Sequence, residues 1–148
     1  MANASRHFTF ELVAPEKVEV SGLEDCVMLP GTEGDFMVLP GHTLLLAALR
    51  PGLVSVIRSN GNKEHYFVEG GMADVGNEHC IVLSPHITHT SKMSEQALAS
   101  EYASLVHLQS EAVADKNHNE AEHLAKRIEI VLLKRAALQS IQSAKIDA

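Results

Sequence analysis

Short apolar stretches separated by turn residues fill the first 91 residues of the chain. Some of them alternate polar with apolar residues, others are continuously apolar, and proline or glycine stands at many of the junctions. Stretches of this length are typical of strands and are too short for stable helices. We predict ten strands, which are Phe8–Ala14, Lys17–Ser21, Leu23–Leu29, Phe36–Leu39, Leu44–Leu49, Leu53–Arg58, Glu64–Glu69, Met72–Val75, His79–Leu83 and His86–Thr90.

The residues between these stretches predict tight turns. Proline fixes φ and glycine adopts positive φ at little cost, so Pro30-Gly31, Gly34, Pro40-Gly41 and Pro51-Gly52 mark changes of direction. Asn60-Gly61 predicts a two-residue type I′ hairpin between its flanking strands. Ten short strands at this spacing predict an antiparallel β-sandwich or a flattened barrel.

After Ser91 the apolar residues recur at helical intervals, and proline and glycine are absent from Ser94 to Asp147. This pattern predicts two helices separated by the polar segment Asp115–Asn119. Ser94 is the predicted N-cap of the first helix, and Asn119 that of the second, with Glu122 completing a capping box. A short polar connection predicts an antiparallel hairpin. We therefore divide the chain into a β-sandwich domain, residues 1–91, and a helical hairpin domain, residues 92–148.

The second predicted helix has more apolar surface than one small partner helix covers, because Ile130, Leu133 and Ala137 lie beside its main apolar stripe. The same helix has five basic residues, Lys126, Arg127, Lys134, Arg135 and Lys145, of which the first four are the candidates for contacts. Charged helix faces are usually solvated. The residues alone leave open whether this face is solvated or contacts an acidic partner.

The charge of the chain is concentrated in its first part. The net charge is −7, and residues 1–91 have 5 basic and 11 acidic side chains, whereas residues 92–148 have 7 and 8. Because binding to nucleic acid depends on clusters of Lys and Arg, this composition argues against a nucleic-acid-binding protein, and we expect no nucleic-acid partner. We expect neither an export signal nor a membrane-spanning segment, since no long apolar run occurs. Cys26 and Cys80 are accordingly expected to be reduced, structural residues.

Candidate chemistry is sparse, although the chain has nine histidines. His86 and His89 are three residues apart on a predicted strand and so point to opposite faces, while His118 and His123 straddle a helix start. Neither pair fits a metal site. His42 lies in a predicted turn, where a solvated histidine and a functional one are both reasonable.

Motifs of catalysis and phosphate binding are also missing. The sequence has no GxSxG elbow, and the glycines of GTEGDF lead into a strand and not into a helix N-terminus. Acidic pairs at Glu24-Asp25 and at Glu33 with Asp35 could serve as acid and base, but exposed acidity is far commoner. The residues argue against an enzyme.

Several segments together resemble one family over nearly the whole chain. They are FELVAPEKVEVSG near the start, VMLPGTEGDFMVLPGHTLLLAALRPG, FVEGGMADV and the closing pair of helices. In this order and spacing they resemble the epsilon subunit of the bacterial rotary (F-type) ATP synthase. The resemblance implies a ten-stranded sandwich, a helical hairpin and a non-catalytic place in the central rotor stalk, between the gamma subunit and the membrane ring of c subunits.

The resemblance also implies roles for particular residues. The loop matching Gly31, Thr32, Glu33, Gly34 and Asp35 is expected to approach the c ring, with the two carboxylates pairing with basic groups there. His42 and Leu44 are expected to contact gamma.

The two helices are expected to form a switch that either folds compactly or extends into the catalytic head. In the extended state Lys126, Arg127, Lys134 and Arg135 would meet the alpha and beta subunits and inhibit ATP hydrolysis. Such a chain would couple proton flow to ATP synthesis, and it would lie peripherally at the cytoplasmic face of the bacterial inner membrane, attached only through the complex.

One family feature is missing. Some members bind ATP through an acidic-x-x-Arg-Ala motif and further arginines, but Ser94–Ala114 contains no Lys or Arg. Without these cations we expect ATP binding to be weak or absent, and we predict no cofactor. The alternative to a rotor subunit is a stand-alone β-sandwich enzyme or ligand-binding module whose helices dimerise.

Overall fold

The computed structural model describes the backbone of residues 6–147 and the side chains of residues 6–144. The chain divides into two compact units, the first ending at His89 and the second beginning at Thr90. Each unit is described by itself.

The first unit contains eight strands in the described residues, and the prediction of ten was wrong. The strands are β1 (Phe8–Ala14), β2 (Lys17–Glu24), β3 (Val27–Gly31), β4 (Gly34–Val38), β5 (Leu45–Ile57), β6 (Lys63–Val75), β7 (His79–Leu83) and β8 (Ile87–His89). The count falls because β5 and β6 each join two predicted strands into one of 13 residues. Pro51-Gly52 and Gly70-Gly71 lie inside a continuous antiparallel ladder and do not end it.

These two long strands create the layers of a sandwich. The first half of β5 and the second half of β6 lie beside β7, β1 and β2, whereas the other halves lie beside β8, β3 and β4. Each layer therefore has five strand segments. The sheet is open, with β2 and β4 at its two ends, so the flattened barrel was also wrong. The pairing of β1 with β7 is parallel, which no hairpin connection could have indicated.

The core lies between the layers and is built from alternate residues of the strands. Phe8, Phe10 and Leu12 of β1 are almost completely buried, as are Val54 and Val56 of β5. Since side chains alternate between the two faces of a strand, the intervening residues form the outer faces.

The hairpin at Asn60-Gly61 exists but has a different turn type from the one predicted. Gly61 donates its N–H to the Arg58 carbonyl at 2.9 Å and has φ +89, whereas Asn60 does not have positive φ. A type I′ turn needs positive φ at both central residues. The loop is a three-residue connection in which Gly61 follows an ordinary turn.

The second unit contains a 3₁₀ turn (Thr90–Lys92), α1 (Glu95–Ala114) and α2 (His118–Asp147). Leu98 of α1 packs with Val131 and Leu138 of α2. Glu95 at the start of α1 pairs with Arg135 late in α2, and Glu101 further along α1 pairs with Arg127 earlier in α2. The helices are therefore antiparallel, as predicted.

One of the two predicted helix caps is correct. Ser94 caps α1, because its Oγ accepts a hydrogen bond from the N–H of Ala97 at 3.3 Å. The second cap is Asn117 and not Asn119, since Asn117 Oδ1 accepts from the N–H of Glu120 at 3.2 Å. Lys116 ends the turn after α1 with φ +58. In residues 6–147 no helix is long and apolar enough to cross a membrane.

Candidate functional site

The β3–β4 hairpin presents Thr32 and Glu33 to solvent at its tip. Its base is held in place, because the N–H of Thr32 donates to the carbonyl of Ala48 on β5 at 3.0 Å. Gly31 is required there, since a Cβ on this residue would lie 2.7 Å from the Gly34 carbonyl oxygen. Of the five residues that the sequence singled out here, residues 32–35 are exposed and Gly31 is buried at the base of the loop.

The two carboxylates of this loop are not equivalent. Asp35 pairs with Arg50, whose Nη2 lies 2.5 Å from Asp35 Oδ1. Arg50 Nη1 also donates to the Gly31 carbonyl at 2.5 Å, so one guanidinium holds both strands of the hairpin. Glu33 is exposed and forms no ion pair with the described residues. Glu33 is therefore the carboxylate that is free for a partner.

Sequence analysis missed Arg50, and the local sequence has no signal that would have revealed it. Arg50 and Asp35 are separated by 15 positions and meet because Gly31 is opposite Leu49 in the ladder. Beside the hairpin lies a groove of about 350 Å³, bounded by residues 31–34, Phe36 and residues 45–48.

His42 and Leu44 lie on the segment that leads into β5, outside the hairpin. His42 Nδ1 donates to the carbonyl of Thr43 at 2.7 Å, and Leu44 is 82% exposed. The segment is held at Gly41, whose N–H donates to the carbonyl of Asn77 at 2.9 Å. His42 is only half exposed, so Leu44 is the more accessible of the two.

The outer face of the layer that contains β7 has an exposed apolar surface that the sequence did not single out. Pairing places Leu46 opposite Asp74, and Met72 opposite Leu83. We use the name outer patch for six neighbouring residues of this layer, Leu44, Leu46, Met72, Asp74, His79 and Leu83. Leu46 is 71%, Met72 45% and Leu83 53% exposed. Contiguous exposed apolar side chains of this kind mark interaction sites.

The four predicted basic residues of α2 differ in their surroundings. Arg135 Nη2 and Nε lie 2.7 and 2.9 Å from Oε1 of Glu95, and Arg127 lies 3.8 Å from Glu101. Lys134 is half-buried and Lys126 is exposed. Arg127 and Arg135 are therefore paired with carboxylates of α1, and Lys126 is the exposed one of the four.

Two cysteines and one histidine stand out among the remaining titratable groups of the described residues. Burial and the nearby Asp74 raise the pKa of the Cys80 thiol to about 12, and burial raises that of Cys26. Both cysteines are free thiols. His89 stacks edge-on against Tyr66 at a centroid distance of 4.8 Å. In the described residues no three His, Cys, Asp or Glu side chains are grouped so that they could hold a metal ion.

Comparison with known proteins identifies the family. Residues 7–90 match the family model of the ATP synthase delta/epsilon chain, β-sandwich domain. An ATP synthase epsilon chain of Rhodopseudomonas palustris is 34% identical over 122 residues, which cover 82% of this chain and 87% of that one. The chain belongs to the ATP synthase epsilon chain family.

Another epsilon chain, from Rhodospirillum rubrum, is 35% identical over 124 residues, covering 84% of this chain and 92% of the relative. Both alignments are longer than the first unit, so they include part of the helical unit. A chain in the cryo-EM structure of the Euglena gracilis mitochondrial ATP synthase (OSCP/F1/c-ring) matches with a TM-score of 0.76 and 19% identity, over 93% of this chain and 84% of that one. At this identity the match concerns the fold alone.

Proposed function

We propose that this epsilon-family chain is a non-catalytic subunit of the central stalk of a proton-translocating ATP synthase. In this role it links the gamma subunit to the c ring, and so couples proton flow to ATP synthesis. The observation that carries the proposal beyond family membership is the outer patch, because an apolar surface of this exposure on a small sandwich fits a permanent partner.

Gamma is the proposed partner of the outer patch. Leu44, which the resemblance assigned to gamma, is part of this surface, and His42 lies two residues before it. Leu46, Met72 and Leu83 extend the contact across three strands. Burial of these side chains supplies the association free energy, at roughly 25 cal/mol per Å² of apolar surface before the costs of association.

The c ring is the proposed partner of the loop formed by Gly31, Thr32, Glu33, Gly34 and Asp35. Glu33 supplies the charge that meets a basic group of the ring. Asp35 acts mainly through Arg50, by fixing the shape of the hairpin, and this modifies the equal roles expected for the two carboxylates. The loop and the outer patch give the sandwich two attachment surfaces.

The helical unit is the proposed inhibitor of ATP hydrolysis. When the helices separate, Arg127 and Arg135 lose Glu101 and Glu95 and become available, together with Lys126 and Lys134, to acidic segments of the alpha and beta subunits. Because α1 supplies carboxylates and no cations to this region, ATP binding by the isolated chain is proposed to be weak or absent. The location follows from the complex, and is peripheral at the cytoplasmic face of the inner membrane.

The proposal is tested by returning the chain to an ATP synthase that lacks its epsilon subunit. Proton pumping and ATP synthesis should be restored by the full chain, and by residues 1–91 if circular dichroism shows that they fold. Only the full chain should restrain ATP hydrolysis. A truncated chain that inhibits hydrolysis as strongly as the full chain rules out the helices as the inhibitor. A full chain that fails to join the complex rules out the subunit role, and it would favour the stand-alone module.

A further inference from the structure

Asp74 is the one acidic residue of the outer patch. It lies opposite Leu46 on β5 and opposite Ile81 on β7, on the row next to the one that contains Met72 and Leu83. Its side chain is more than half exposed, at 57%. A partner that covers the apolar residues must therefore cover this carboxylate as well.

The chain itself supplies Asp74 with little charge compensation. Its ion-pair partner in the described residues is His79, whose Nε2 lies 3.1 Å from Asp74 Oδ1 and which is charged only when protonated. Arg50 and Arg58, the cations that form ion pairs on β5 and at its end, are paired with other carboxylates. No Lys or Arg of the described residues forms an ion pair with Asp74.

A carboxylate that is removed from water without a charged or hydrogen-bonding partner is costly, whereas one that meets a cation gains specificity and association rate. Among the described residues His79 is the group that pairs with Asp74 and no Lys or Arg does, so a permanently charged partner for this carboxylate has to come from the surface that covers the patch. We propose that the outer patch receives an apolar segment of gamma that carries one Lys or Arg, and that this cation pairs with Asp74.

The inference rests on the proposed function, and it adds the chemistry by which gamma is recognised. Leu46, Met72 and Leu83 select an apolar segment, and Asp74 fixes which part of that segment lies over them. Charged groups within apolar interfaces commonly determine register and exclude wrong partners in this way.

The test measures the affinity of purified gamma for the full chain and for four variants by titration calorimetry. Asp74→Asn removes the charge and keeps the shape, and it should weaken binding at least tenfold. Asp74→Glu keeps the charge and should stay within about threefold of the unchanged chain. Leu46→Asp should also weaken binding strongly, because it places a second carboxylate in the apolar surface. Glu16→Gln removes an exposed carboxylate in the turn between β1 and β2, which belongs to neither proposed attachment surface, and it serves as the matched control.

The outcomes distinguish the cation that pairs with Asp74 from the outer patch as the surface that binds gamma. A larger loss of gamma affinity in Asp74→Asn than in Glu16→Gln, with recovery in Asp74→Glu, supports the cation. If Asp74→Asn binds gamma as tightly as the unchanged chain while Leu46→Asp does not, the proposed pairing of Asp74 with a cation is refuted. The outer patch then remains the gamma-binding surface. If neither variant weakens binding, the patch is not the interface. If the unchanged chain does not bind gamma at all, the proposed function fails and this inference fails with it.

Discussion

Removal of the ion pair between Arg135 and Glu95 should loosen the helical hairpin by a measurable amount. The two contacts of the guanidinium, 2.7 and 2.9 Å, converge on one carboxylate oxygen, and the side chains are 30% and 42% exposed. Exposed ion pairs contribute about 0.2–1 kcal/mol, and hydrogen bonds to charged groups about 1.5–3 kcal/mol. Since solvent screens part of this interaction, we expect a coupling free energy of about 1 kcal/mol.

The two single substitutions should not cost the same. Oε2 of Glu95 is buried and has no hydrogen-bond partner among residues 6–144, so Arg135→Gln leaves this carboxylate without its cation. Glu95→Gln removes the carboxylate itself, so no buried charge is left unpaired. Besides the ion pair, this variant loses the favourable interaction of Glu95 with the positive N-terminal end of the helix dipole of α1. We expect about 1.5 kcal/mol for Arg135→Gln and about 1 kcal/mol for Glu95→Gln.

The assay is a double-mutant cycle on the full chain, read out by amide hydrogen exchange of α1 and α2. The matched control is the cycle for Arg127 and Glu101, where the ionic contact is longer, 3.8 Å, and should couple by about 0.3 kcal/mol. A coupling free energy for Arg135 and Glu95 below that of the control pair would refute this reasoning. The closer ion pair would then stabilise the hairpin no more than an ordinary exposed ion pair does.

Three further changes test local features of the two units. Lys116→Gly should stabilise the helical unit by about 0.5–1 kcal/mol against Lys116→Ala, since φ is +58 at this residue, and hydrogen exchange of α1 and α2 measures it. Gly31→Ala should destabilise the sandwich by about 2 kcal/mol in urea unfolding, whereas Gly22→Ala, where a Cβ meets nothing within 4 Å, should change it little. Because the pKa of Cys80 is raised from 9.0 to about 12, the thiol ionises first in the unfolded chain, and stability should fall above pH 9, by about 1 kcal/mol at pH 10. In Cys80→Ala the free energy of unfolding should fall less steeply above pH 9. An unchanged pH dependence in this variant would contradict the assignment of the effect to the Cys80 thiol.

The sequence predicted features that depend on near neighbours. Ser94 and Ala97 are three residues apart, so the cap of α1 follows from local chemistry alone. The cap of α2 was misplaced because Asn117 and Asn119 both satisfy the same rule, and the choice depends on how the turn after α1 closes through Lys116. The outer patch could not be predicted from the sequence, because Leu46 and Asp74 become neighbours only when β5 pairs with β6.

The predicted number of strands was too high because glycine and proline occur both at the ends of strands and inside them. Glycine and proline end strands in many hairpins, but Pro51 faces Glu69 and Gly71 faces Leu49 within one ladder. What divides each long strand is a change of neighbours, from β8 to β7 along β6, and no local pattern encodes such a change. The pair formed by Arg50 and Asp35 depends on the same non-local pairing, which is why sequence analysis did not predict it.

The ion pair of Arg135 and Glu95 leads to a functional prediction in which its two members act with opposite sign. In the proposed inhibition Arg135 contacts an acidic partner only after it has left Glu95, so Glu95 competes with that partner for the same guanidinium. Glu95→Gln removes the competitor, and a loss of about 1 kcal/mol from the compact state should strengthen inhibition of ATP hydrolysis about fivefold. Arg135→Gln loosens the hairpin as well but removes the inhibitory contact, so it should weaken inhibition. Titration of each variant against an epsilon-free ATP synthase measures both effects, and equal shifts in the same direction would mean that Arg135 stabilises the hairpin and does nothing else.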